Sequence, residues 1–160
     1  METPIVEPAV EEPIKAVEQM DTERACSYAD YTKKDLTTYT FEFYIQSSKF
    51  DEAILPEVIE GTKFECCSFL KSDLRDRRFI KCEFIDCVFD DADMRSISMS
   101  SCVLTRCELV KTDLRDAILK DTTFIEPVYK YTDFRNCRFS SISFTEEEAK
   151  LCDLRDIYVA

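Results

Sequence analysis

Nine cysteines, 33 carboxylates and no histidine set the chemistry open to this 160-residue chain. Without histidine the chain lacks the side chain best suited to general-base work and metal binding at neutral pH. Serines such as Ser100 and Ser101 therefore have no imidazole to activate them. The single glycine, Gly61, rules out a glycine-rich phosphate loop. Carboxylates serve as acid or base only where a pocket shifts their pKa. The cysteines remain, and their spacing is regular. Cys67, Cys82, Cys87, Cys102, Cys107, Cys137 and Cys152 fall on multiples of five from one another, whereas Cys26 and Cys66 do not. Cys82 with Cys102, and Cys87 with Cys107, are candidates for a disulfide or a soft-metal site. The alternative is that each is a small hydrophobe packed like alanine. A narrow, filled interior favours packing, so no cofactor, metal or catalytic residue is expected.

The elements that would hold these residues follow from one stripe. From Phe64 a large apolar residue returns at every fifth position: Phe69, Leu74, Phe79, Phe84, Phe89, Met94, Met99, Leu104, Leu109, Leu114 and Leu119. The stripe continues through Phe124, Tyr129, Phe134, Phe139 and Phe144, passes the small Ala149, and ends at Leu154 and Val159. A period of five fits neither a helix stripe nor a flat strand. It is satisfied when the chain turns a corner once per repeat and winds about an axis. Two residues before each centre stands a mostly small residue, as at Cys67, Ser72, Cys82, Ala92, Thr112 and Ala117. Residues two apart share a side of an extended chain, so each repeat points one large and one small residue inward.

Cys82-Glu83-Phe84-Ile85-Asp86 and Thr112-Asp113-Leu114-Arg115-Asp116 show the unit well. This pattern resembles the pentapeptide-repeat family over residues 61–160. The resemblance implies an all-β, right-handed quadrilateral β-helix. A second period gives the coil length. Asp precedes and Arg follows the centre at Asp73/Arg75, Asp93/Arg95, Asp113/Arg115, Asp133/Arg135 and Asp153/Arg155, each pair 20 residues after the last. Four repeats per coil place all five pairs on one face, predicting about five coils over residues 61–160.

Residues 1–33 are rich in Pro and Glu, and are read as a flexible acidic tail with a short helix from Ile14 to about Arg24. Residues 34–60 are apolar but out of phase with the stripe, and are read as an N-terminal cap covering the first coil. Residues 1–60 carry 14 acidic and 5 basic side chains (−9), and residues 61–160 carry 19 and 16 (−3), together the −12 of the whole chain. That balance disfavours direct contact with nucleic acid or an anionic membrane. No transmembrane span is expected, and unpaired thiols point to a reducing compartment, the cytoplasm or a virion interior.

Two surfaces stand out. The Asp/Arg columns form either a solvated ion-pair ladder or a charged docking face. By register, Leu70, Val88, Val110 and Val128 point outward from one face, and Ile85, Val103 and Ile125 from the preceding one. With Tyr158 and Val159 on the last coil, these are the candidate partner contacts, and that coil is a candidate for self-association. The expected function is a non-catalytic structural or adaptor rod binding a protein partner, for instance within a large assembly such as a viral capsid. The alternative is implied by the resemblance: some members mimic DNA and modulate DNA gyrase. The near-neutral rod departs from the acidic surface that role uses.

Overall fold

The computed structural model describes residues 24–159. The 1–23 part of the expected tail and most of its helix lie outside the described residues. From residue 24 onward the chain winds as a right-handed solenoid of about seven turns, with almost no helix. Each turn crosses four faces. The first face carries strands Tyr44–Gln46, Lys63–Glu65, Glu83–Ile85, Val103–Thr105 and Thr123–Ile125, all paired in parallel. The second carries bridges at Lys49, Ser68 and Val88, then strands Glu108–Val110 and Val128–Lys130. The third stacks Asp35, Ile54, Asp73, Asp93, Asp113, Asp133 and Asp153. The fourth runs through strands Val58–Glu60, Arg78–Ile80, Ser98–Ser100, Ile118–Lys120, Arg138–Phe139 and Tyr158–Val159.

The repeat centres fill the axis. Phe50 stacks on Phe69 at 5.1 Å and Phe69 on Phe89 at 4.9 Å, while Phe64 stacks on Phe84 at 5.1 Å. Stacks on neighbouring faces meet edge to face, as Phe84 meets Phe89 at 5.4 Å and 70°. The small inward position has a polar duty as well. Ser72 Oγ donates to the Phe50 carbonyl at 2.7 Å and Thr112 Oγ1 to the Phe89 carbonyl at 2.8 Å. Cys82 Sγ and Cys102 Sγ reach the carbonyls of Ile59 and Phe79, each at 3.4 Å. A small residue with a weak donor suits this site, which accounts for Ser, Thr and Cys exchanging there.

Corners also recur every five residues. Cys66, Lys71, Asp76, Lys81 and Asp86 all take left-handed backbone, with φ between 52° and 59°. Each corner N–H donates to the next coil, Lys71 to the Asp90 carbonyl and Lys81 to the Ser100 carbonyl. Gly61 (φ 67°) occupies one such corner, where the absence of Cβ removes the strain.

Besides the tail, whose residues 24–33 are wound into the solenoid with Ala25 and Tyr31 buried and Asp30 bridging Lys49, two expectations are corrected. The first is the count of about five coils beginning at residue 61. The segment expected as a cap winds as coils: Ile45, Phe50, Leu55 and Ile59 are buried centres, and Tyr44–Gln46 pairs directly with Lys63–Glu65. Its phase differs because Phe41 to Ile45 and Leu55 to Ile59 are steps of four rather than five. Those coils therefore hold 19 residues, as Asp35↔Ile54 and Ile54↔Asp73 record.

The second correction is the unbroken register through Phe144 and Ala149. After Phe139 the chain leaves the ladder and forms a helix, Glu146–Leu151. Thr145 caps it: its Oγ1 accepts from the Glu148 N–H at 3.2 Å, and the Glu148 carboxylate accepts from the Thr145 N–H at 2.7 Å. The excursion keeps the coil length, because Asp133 still pairs with Asp153.

Candidate interaction surfaces

On the third face the Asp/Arg repeat builds a closed ladder. In each pair the Arg guanidinium forks onto its own Asp, with Nε to Oδ1 at 2.8 Å and Nη2 to Oδ2 at 2.6 Å for Arg75 and Asp73. The Asp carboxylate also accepts the Arg backbone N–H, at 3.2 Å in the Asp73 pair, which fixes the turn. Four of the five guanidinia then reach the next Asp: Arg75 to Asp93 at 3.6 Å, Arg95 to Asp113 at 3.8 Å, Arg115 to Asp133 at 3.6 Å, and Arg135 to Asp153 at 3.4 Å. The Arg155 hydrogen bonds hold the Asp153 carboxyl down at about 2, and Arg75 and Arg95 lower Asp73 and Asp93 in the same way. All five aspartates accept from their own arginines, so the five pairs balance and are internally satisfied. It ties coil to coil.

The expected outward apolar residues do lie on the first and second faces, but polar residues separate them. In one column Ile85 stands between Glu65 and Thr105, and in the neighbouring one Val103 stands between Glu83 and Thr123. On the second face Val88 stands between Ser68 and Glu108, and Val110 faces Lys130. Leu70, Ile85, Val88, Val103 and Val110 are half-buried, while Ile125 and Val128, nearer the C-terminal end, are exposed. Tyr158 and Val159 are 64% and 57% exposed, on a strand paired on one edge only. Of the expected set, the most exposed members are thus those nearest the C-terminal end. Spacing alone did not reveal Ile118 (46% exposed), an outward residue of the fourth face, or Phe43 (81%), beside one of the four-residue steps.

Inside, Cys67, Cys87 and Cys107 stack, as do Cys82 and Cys102. Burial pushes the Cys87 thiol up and the Cys137 thiol up to about 12, so both stay protonated at neutral pH. Among the described residues no three or more metal-ligating side chains converge, and no helix is long and apolar enough to cross a membrane.

The C-terminal end holds a cavity of about 620 Å³. Its walls are the strand edge at Thr123 and Phe124, the corner at Glu126 and Pro127, Tyr129, and the excursion from Ser141 to Thr145 with Glu148. It occupies the place on the first face where the repeat centred on Phe144 was expected to add a strand. Phe144 instead turns onto the end of the core, 5.6 Å from the Tyr129 ring and 5.4 Å from Phe134. Tyr129 is 4% exposed, and among the described residues its hydroxyl has no hydrogen-bond partner.

Residues 82–121 match the family model for pentapeptide repeats in eight copies. The same five-residue coil continues on both sides of that stretch, so the fold is that of a pentapeptide-repeat β-helix. No curated protein matches it. Among solved structures it is similar to full-length QnrB1, a plasmid-mediated fluoroquinolone resistance protein, at 13% identity and TM-score 0.37, covering 86% of this chain and 92% of that one. It is also similar to a pentapeptide repeat protein from the thylakoid lumen of Arabidopsis thaliana, at 16% identity and TM-score 0.34, covering 80% and 79%. A third is HetL from the cyanobacterium Nostoc sp. strain PCC 7120, at 10% identity and TM-score 0.23, covering 86% and 87%. At such values the likeness carries nothing about partner or activity.

Proposed function

We propose that this protein is a non-catalytic adaptor or structural rod that binds a protein partner through its C-terminal end. One observation supports this above the others: among the described residues, strand Tyr158–Val159 is paired on one edge only, and it carries two exposed apolar side chains. A free parallel edge flanked by apolar residues is a ready template for another chain. On the third face the Asp/Arg ladder is self-satisfied, and on the first and second faces the expected apolar residues are interleaved with polar ones, which favours the end as the adhesive surface. A component of a multiprotein assembly, a viral capsid among them, fits a small rod of this kind. Mimicry of DNA toward gyrase draws less support, because each aspartate of the third-face ladder is held by its own arginine.

The test is light scattering after size exclusion, comparing the full chain with the double variant Tyr158→Lys, Val159→Asp. Both substitutions place a charge on exposed positions, so folding is expected to survive. If the end joins two copies, the wild type runs as a dimer or larger and the variant as a monomer. If the partner is a different protein, both run as monomers and only the wild type retains that partner in a pull-down from its source extract. A variant that keeps every association of the wild type contradicts the reading.

A further inference from the structure

The solenoid leaves one rung of its first face unfilled, and the surroundings of that gap specify what fits it. Four successive corner amides on this face donate to the next coil: Ser47 to the Glu65 carbonyl, Cys66 to Ile85, Asp86 to Thr105 and Arg106 to Ile125, at 2.8–3.0 Å. Glu126 is the fifth member of the series, with the same left-handed backbone (φ 50°). Among the described residues its N–H finds no backbone acceptor. Strand Thr123–Ile125 likewise pairs on one side only, with Val103–Thr105. The 620 Å³ space, a cleft about half open to solvent, lies along this free edge.

We propose that this slot receives an extended segment of a partner protein as the strand the chain does not itself supply, with an apolar residue at the centre and basic residues flanking it. The backbone edge accounts for the extended form, since strand addition satisfies a row of amides at once. The apolar centre follows from the wall made by Phe124, Ile142 and Phe144. The basic flanks follow from charge: Glu126 and Glu148 line the slot, and no cationic side chain does. The same charge argues against the chain's own N-terminus, because residues 1–23 hold seven acidic side chains and one lysine. This inference rests on the protein-binding reading but uses a different edge from Tyr158–Val159.

The probe is a fluorescein-labelled synthetic peptide, acetyl-Lys-Val-Lys-Phe-Lys-Val-Lys-amide, titrated against the full-length protein by anisotropy. A second peptide with Ser for Phe and both Val keeps the charge and removes the apolar centre. Two variants separate the slot from the general acidity of the chain. Glu126→Lys reverses the slot charge at a corner type that already holds lysine, as at Lys71, Lys81 and Lys111. Glu83→Lys makes the same net change two coils away on the same face.

The expected result is saturable binding that Glu126→Lys weakens about tenfold, the loss of one charge-assisted contact, and that Glu83→Lys leaves unchanged. Bound peptide slows hydrogen exchange at Glu126, and the serine peptide does not bind. The inference is overturned by absence of saturation at millimolar peptide, by equal weakening in both variants, by equal binding of the serine peptide, or by protection falling at residues 158–159 instead. Each of those results leaves the adaptor reading to stand or fall on the Tyr158→Lys, Val159→Asp comparison.

Discussion

Phe84→Ala is expected to lower the free energy of unfolding by about 3–5 kcal/mol, the range for deleting a buried ring whose surroundings cannot collapse. Phe84 is fully buried and central to the aromatic interior. It stacks on Phe64 at 5.1 Å and meets Phe69, Phe79 and Phe89 edge-on at 5.4–6.0 Å. Each neighbour is itself fixed by a rung of the ladder, so none can move in to fill the space. In a stacked-coil protein the loss weakens the interfaces above and below, and the transition should broaden as well as shift. Urea titration followed by far-UV circular dichroism measures it. Phe43→Ala provides the contrast: that ring is 81% exposed, and its removal is expected to change stability by no more than about 0.5 kcal/mol. Similar costs for the two substitutions would mean that the inward and outward sides have been misassigned.

Tyr129→Phe is expected to act in the opposite direction, stabilising the protein by about 1–3 kcal/mol. That is the usual cost of a buried polar group left without a partner. The Tyr129 ring packs on Phe124, Phe134 and Phe144, at 5.8, 5.2 and 5.6 Å, and phenylalanine keeps all three contacts. Only the hydroxyl is lost, and among the described residues it has no hydrogen-bond partner. Burial raises its pKa well above the ordinary tyrosine value, so it is neutral at any working pH and no charge enters the comparison. The same urea titration reads the effect. A destabilised Tyr129→Phe would show that the hydroxyl is satisfied in solution, and that the C-terminal end closes differently from the arrangement described.

The repeat from Phe64 onward was legible because a five-residue period is incompatible with helix or flat strand, and because the Asp/Arg pairs mark every fourth unit. The Asp73–Asp153 column and its arginines stand where the 20-residue spacing places them. Upstream the same code is present but shortened. Tyr31, Leu36, Phe41, Ile45, Phe50, Leu55 and Ile59 continue the stripe once two steps of four are allowed. A search for a strict period stops at the first of these, which is how winding coils came to be expected as a cap.

The helix at Glu146–Leu151 failed to show for a different reason. Phe144 and Leu154 keep the period across it, so the stripe passes over the interruption. The contrary signal was local: Thr145-Glu146-Glu147-Glu148 is a capping box ahead of Ala149, Lys150 and Leu151, which are good helix formers. Residues that favour a helix locally overrode a register set by distant coils. The slot beside Thr123–Ile125 follows from that override and was not visible in the stripe.

The most direct test of the account is amide hydrogen exchange at one repeated position, the left-handed corner after each first-face strand. Ser47, Cys66, Asp86 and Arg106 donate into the following coil, whereas Glu126 does not. The account predicts slow exchange at the first four and fast exchange at Glu126, resolved by NMR on the full chain. Slow exchange at Glu126 without any partner would close the C-terminal slot. Fast exchange at Ser47 would remove the winding of residues 24–60, and either result would contradict a continuous seven-turn rod that ends on an open strand edge.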